Sequence, residues 1–351
     1  MALTSRGKAL VAGGSVVAVL GGGMAALALS GNAPAPIQKA LNDIGIAPAP
    51  IEPCPLTGEP LPGDKQPPDR PVLAVKVENA PEARPQSGLD EADIVYEEPV
   101  EGGVTRFIAM FHCDDAKRLG PVRSARTTDV SVLAPLDTPL FGFAGGSNLV
   151  KKAVAESDVV DLNYIDAAER YVRDESREAP HNLYTTTKAL FKAAKAKGGA
   201  AEPIFSYGDI ADGSRPVGGV HLLFSEAYAD VNWTWDRGNS AWLRSHGTEP
   251  HMLENGRQVS TESIVVLHVK VRDSKVLEDV AGYPSPEVTL KGSGKAWLFR
   301  DGRMVLGRWT RDGDEDYVRL QTKDGSEMKL APGTAWVELL PNTVPVEIVK
   351  R

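Results

Sequence analysis

The residues best equipped for chemistry lie between Ala83 and Arg126, in ARPQSGLDEADIVYEEPVEGGVTRFIAMFHCDDAKRLGPVRSAR. Arg84, Arg106, Arg123 and Arg126 stand here beside Glu97, Glu98 and Glu101, with the glycine pair Gly102 and Gly103 next in line. Guanidinium groups offer planar, paired donors to carboxylate or phosphate. Glycines let a backbone approach a ligand closely. The combination reads as a site for an anion, with Arg106, Arg123, Arg126, Gly102 and Gly103 as ligand-binding candidates. Gly145, Gly146 and Ser147 join them, because they end a buried strand and start a helix. In an α/β domain ligands gather at the C-terminal ends of parallel strands. Arg123 and Arg126 are three apart, which places them on nearby positions in the first turn of a helix expected over Ser124–Leu133. Helix N-terminal amides favour the same ligands. The competing reading pairs these arginines with Glu97, Glu98, Glu101 and Asp129 in a purely structural network.

A second polar cluster, YVRDESREAPHNLY, runs from Tyr171 to Tyr184 on an expected loop and holds Asp174, Arg177, His181 and Asn182. Asn182 is counted with the ligand-binding candidates. His181 changes charge near neutral pH and is a candidate general acid or base; a lone loop histidine is more often a hydrogen-bonded surface residue. Ser124 as a nucleophile lacks any flanking nucleophile-elbow pattern. His181, Ser124 and Asp174 are the catalytic candidates, and none has a recognisable partner. Glu97, Glu101 and Asp174 lack metal-ligand spacing, so no metal is expected. No nucleotide motif is present, and no cofactor is expected.

These residues need elements to position them. VLAVKVEN, IVYEEPV, TRFIAMFHC, LFGFAGG and VVDLNYI read as strands, with helices expected at Ser124–Leu133, Asn148–Glu156 and Thr185–Lys197. Strands alternating with helices indicate an α/β domain over residues 70–215. Residues 216–351 change character: all six tryptophans lie between Trp233 and Trp336. Short alternating runs recur there, VNWTWD, SAWLRS, IVVLHVKV, EVTLKG, KAWLFR, MVLGRWT, YVRLQT and TAWVELLP, separated by Asp-Gly and Pro-Gly turns. This is a mainly antiparallel β domain, and the chain is α+β as a whole. The tryptophans fill its core, or form a ligand platform.

The N-terminus bears on compartment. Arg6 and Lys8 precede Ala9–Ser30, an uncharged run of 22 residues. As a helix it would span about 33 Å, enough for a hydrocarbon core of roughly 30 Å. Residues 1–30 are therefore read as a membrane anchor with the body outside the cytoplasm. The alternative is a cleaved signal with Ala26 and Ala28 before the cut, which gives a secreted body. Residues 31–69 are a proline-rich spacer, with a short helix expected at Gln38–Ile46. Cys54 and Cys113 are the only cysteines. Outside the cytoplasm such a pair is most simply a disulfide, against two unrelated thiols. A net charge of −8 argues against a general nucleic-acid binder.

ARPQSGLDEADIVYEEPVEGGVTRF, LGPVRSAR, AGGS and APHNLYT, in this order, resemble the YerB-like putative lipoprotein family. GSGKAWLFRDGRMVLGRW and LAPGTAWVELLP resemble the same family, so the likeness spans roughly residues 53 to 341. It implies an extracytoplasmic protein and supplies no catalytic residues to carry over. This chain departs from the lipoprotein pattern, because no cysteine closely follows its apolar run. Three function readings follow. The first is an envelope protein binding an anionic wall glycan, lipid head group or peptide. The second is an enzyme on envelope polymers, by phosphoryl transfer or hydrolysis, with the arginines stabilising developing charge. A third is a structural partner of other envelope proteins.

Overall fold

LAVKVE is buried at every position because it becomes β1 (Leu73–Glu78), an inner strand covered on both faces. The computed structural model describes residues 51–63, 65–193, 201–277 and 284–351. The expected anchor and the helix at Gln38–Ile46 lie outside these. Among the described residues no helix is long and apolar enough to cross a membrane.

After β1 come β2 (Ile94–Pro99), β3 (Thr105–Phe111), α1 (Thr127–Leu133), β4 (Leu140–Phe143), α2 (Asn148–Ala155), β5 (Val160–Asn163), β6 (Tyr171–Arg173), β7 (Leu183–Thr185) and α3 (Thr187–Ala193). The second half begins with β8 (Arg215–Pro216), β9 (Gly219–Ser225), β10 (Ala229–Asp236), β11 (Ala241–His246), β12 (Glu249–Pro250) and β13 (Ser260–Thr261). It ends with β14 (Ser263–Leu277), β15 (Pro284–Thr289), β16 (Gly292–Arg300), β17 (Arg303–Arg311), β18 (Arg319–Thr322), β19 (Ala335–Pro341) and β20 (Val346–Val349).

One large sheet runs β18-β17-β16-β14-β19-β2-β3-β1-β4-β5, with β15 beside β14 and β8 beside β17. A smaller sheet, β12-β11-β10-β9-β20 with β13 on β11, packs on one face of it. The strands β6 and β7 form a separate hairpin. The late strand β19 lies between β14 and β2 and is parallel to both. The hydrogen-bonded sheet therefore passes straight through the division expected near residue 215, and Pro53–Arg351 is one compact unit.

The described chain is β-dominated with few helices. The α/β character expected of residues 70–215 is limited to the parallel edge β1-β4-β5 and its short helices. All eight strand-like runs of the second half form strands. Trp233, Trp242, Trp309 and Trp336 are almost completely buried, so these four are core and not a ligand platform.

Strand alternation sorts the large sheet's residues into two faces. Ala74, Tyr96, Ile108 and Met110 pack under Val132 and Leu133 of α1 and Val150 and Val154 of α2. Val75, Val77, Phe107 and Ala109 pack against Val220, Val231 and Trp233 of the smaller sheet. Cys54 and Cys113 are joined in a disulfide, as expected, with Cα atoms 6.1 Å apart.

Two helix expectations need correction. The helix expected from Ser124 starts at Thr127, because residues 123–126 are extended and bonded on both sides. Arg123 N donates to Lys76 O and Ala144 N to Arg123 O, both at 2.9 Å, and Ala125 N to Gly145 O at 3.0 Å. Arg126 is the N-cap, its amide held by Asp129 Oδ2 at 2.6 Å. The helix expected from Thr185 starts at Thr187, since Thr185 pairs with Tyr171 in the hairpin. YVRDESREAPHNLY is that hairpin with its connecting loop, rather than loop alone.

Candidate functional site

The strands β1, β2 and β4 run in one direction, so Glu78, Glu98 and the glycines after Phe143 collect at one end of the sheet. Arg106, near the start of antiparallel β3, arrives at the same end and lies opposite both Glu78 and Glu98 in register. Directly opposed residues share a face. Lys76, Glu78, Glu98 and Arg106 therefore point to the side covered by α1, and the extended 123–126 segment crosses their ends.

The three guanidiniums differ in their partners. Arg123 Nε donates to Glu78 Oε1 at 2.8 Å, and the other oxygen of Glu78 meets His181 Nδ1 at 3.0 Å. Arg126 grips Glu101 with two donors, Nε to Oε1 at 2.6 Å and Nη2 to Oε2 at 2.5 Å. Its Nη1 donates to Ala125 O at 2.7 Å. Arg106 has no carboxylate within ion-pairing distance among the described residues. Its Nη1 donates to Ser124 O at 2.9 Å, and its buried Nε has no partner. Arg106 is only 9% exposed. Burial, reinforced by the charge of Arg126, lowers its pKa to about 10.

Behind this ring lies a sealed triad. Lys76 contacts Glu98 and, at 2.6 Å, Asp129, and all three side chains are fully buried. Burial pushes the Glu98 carboxyl up to about 7, with Lys76 opposing and Asp129 adding to the shift. Burial also pushes Glu101 upward, but the hydrogen bonds and charge of Arg126 outweigh it and leave that carboxyl below its ordinary range.

Gly145 sits against the 123–126 segment in the left-handed region at φ +79°, and its amide donates to Asn163 Oδ1 at 3.0 Å. An added Cβ at Gly145 would approach only Ile165, at 4.0 Å. Gly146 packs on Val150, and Ser147 caps α2 through Val150 N at 3.2 Å. Gly102 and Gly103, also left-handed, make the single turn that joins β2 to β3 and carries Glu101. Arg106, Arg123, Arg126 and Gly145 are thus brought together.

The structure does not bring in every expected residue. Asn182 ties its own loop, accepting from Arg173 Nη1 at 2.7 Å and donating to Asp174 O and Arg177 O at 3.3 and 3.2 Å. Asp174 pairs with Arg118 and holds Ser176. The Ser124 hydroxyl donates to Ala144 O at 3.0 Å and meets no base. Of the four carboxylates expected to pair with the arginines, only Glu101 does so through its side chain to a guanidinium. Glu98 and Asp129 serve Lys76. Glu97, one residue from Glu98 on a strand, faces the opposite side and pairs with Arg244. Lys76 and Glu78 are not among the sequence candidates, although a lysine inside LAVKVE is the signal for a buried partner. Among the described residues no cluster of His, Cys, Asp or Glu could hold a metal ion.

Comparison with known proteins gives a consistent relationship. "Protein of unknown function (DUF3048) N-terminal domain" matches residues 56–200, and the corresponding C-terminal domain matches residues 220–337. The chain is 29% identical over 290 residues to "Putative lipoprotein YerB" of Bacillus subtilis (strain 168), across 80% of this chain and 85% of that protein. It resembles the crystal structure of the Bacillus subtilis YerB protein with a TM-score of 0.72 at 26% identity, over 84% of this chain and 99% of the other. With both family domains in tandem and one fold shared across them, the chain belongs to the YerB-like, DUF3048 family.

Proposed function

We propose that this chain is an extracytoplasmic envelope protein that binds an anionic ligand at the Arg106–Arg123–Arg126 ring. The ligand classes that fit are a wall glycan, a lipid head group or a peptide bearing acidic groups. A relative named as a lipoprotein supports an envelope location. Both cysteines of this chain are consumed by the disulfide, so neither thiol is free to accept a lipid. The apolar run Ala9–Ser30 then carries the membrane attachment.

One observation carries the binding reading: Arg106 is nine-tenths buried, keeps an unpartnered Nε and has no carboxylate of its own. A buried charge without a counter-ion is costly. An arriving anion removes that cost, whereas a purely structural network would have closed it. The enzyme reading is less well supported, because Ser124 has no base and its hydroxyl is committed to Ala144.

The test is native mass spectrometry of the purified chain beside its Arg106→Gln variant. The wild type is expected to carry a bound anionic species that the variant lacks. Identical spectra, together with no anion-dependent rise in wild-type melting temperature, would overturn the proposal.

A further inference from the structure

We infer that the ring selects a singly charged oxyanion, a phosphodiester or a carboxylate, over a doubly charged phosphomonoester. This inference rests on the anion-binding reading and adds a charge selectivity to it. The ring sets three guanidiniums, Arg106, Arg123 and Arg126, against two carboxylates, Glu78 and Glu101. Each carboxylate already holds one guanidinium. A single positive charge, that of Arg106, is left over.

The other charged groups packed against the ring do not change this count in favour of a second ligand charge. Lys76 is enclosed by Glu98 and Asp129, so its ammonium is directed away from any ligand. With Glu98 ionised, that triad carries one net negative charge, which opposes a dianion further. His181, on Glu78, adds positive charge only when protonated. Its Nδ1 already meets Glu78 Oε2, so it is not a free cation for a ligand.

One ligand charge satisfies Arg106. A second would lie beside Glu78 and Glu101 with no free cation to meet it, and like charges repel strongly in a part-buried setting. A phosphomonoester has its second pKa near ~6 and is a dianion at pH 8, whereas a phosphodiester stays a monoanion.

The experiment is calorimetric titration of the full chain in neutral detergent at pH 8 and constant ionic strength. The probes are dimethyl phosphate, acetate and methyl phosphate. At least one monoanion is expected to bind about tenfold more tightly than methyl phosphate, the scale of one like-charge contact in a part-buried site. Tighter dimethyl phosphate identifies the phosphodiester class, and tighter acetate the carboxylate class. Glu101→Gln frees Arg126 and is expected to shift the ratio about tenfold toward methyl phosphate by removing that contact. If circular dichroism shows that this variant fails to fold, Glu78→Gln takes its place by freeing Arg123. Methyl phosphate binding as tightly as both monoanions would overturn the selectivity and leave the anion reading standing. No binding by any of the three would overturn the anion reading itself.

Discussion

Arg244→Met tests whether the buried ion pair beneath the smaller sheet holds the two halves of the chain together. Arg244, Glu97 and Glu338 have no solvent exposure. Arg244 Nη2 donates to both oxygens of Glu97, at 2.9 and 2.8 Å, and its Nη1 lies 2.8 Å from His251 Nδ1. Burial and the charge of Arg244 keep His251 neutral. Glu97 also accepts from Thr105 Oγ1 at 2.6 Å, and Glu338 accepts from Trp233 Nε1 at 2.8 Å. Burial, then the charge of Glu97, push the Glu338 carboxyl far above its ordinary range. One cation therefore supports one ionised carboxylate, Glu97, beside a protonated Glu338.

Methionine keeps much of the arginine's length and removes its charge, which strands Glu97 among neutral donors. The expected loss is about 3–5 kcal/mol, the usual cost of breaking a buried pair from one side. Adding Glu97→Gln removes the stranded charge and is expected to recover on the order of 2 kcal/mol of that loss. Glu338→Gln, at a group already neutral, is expected to cost less than about 1 kcal/mol. Urea unfolding at pH 7.5, followed by far-ultraviolet circular dichroism, measures all three. Fluorescence is the poorer probe, because Trp233 and Trp336 lie within 6.0 Å of the Arg244 guanidinium. A cost below about 1 kcal/mol for Arg244→Met, or no recovery with Glu97→Gln, would refute the reasoning.

Two further outcomes follow from buried groups. Burial raises the carboxyls of Asp93 and Glu98 to about 7, so the folded chain holds protons that the unfolded chain releases. Their stabilisation is complete below about pH 4 and is lost as pH rises through 7. Urea midpoints are expected to fall between pH 5 and 8, and Glu98→Gln to flatten that slope. Replacing Cys54 and Cys113 by serine opens a bridge between residues 59 apart in sequence. The loss is expected to be about 4 kcal/mol by loop entropy, read from a thermal or urea transition.

The sequence made strands legible where alternation or continuous apolarity was plain, as in LAVKVE and TAWVELLP. It also singled out Arg106, Arg123 and Arg126 as candidates, because guanidiniums and glycines interrupt the strand pattern there. Pairing was harder to read. Glu97 and Glu98 look equivalent in a list of charges, yet strand alternation sends them to opposite faces and to different cations. The extended course of residues 123–126 depends on backbone bonds to Lys76, Ala144 and Gly145, which no local pattern encodes. The partner of β2 was equally hidden, since TAWVELLP marks a strand but not its place beside IVYEEP.

The placement of β19 has a consequence for how the molecule is made. Until residues 335–341 leave the ribosome, long after β2 itself, β2 presents an open edge of unpaired backbone groups. The arginine ring is built beside that strand: Glu101 lies in the turn that follows β2, Arg106 on its neighbour β3 and Glu78 on β1. Synthesis therefore delivers the ring's arginines early and its finished scaffold last. Truncation after Arg126 but before Ala335 removes β19 while leaving every ring residue in the product.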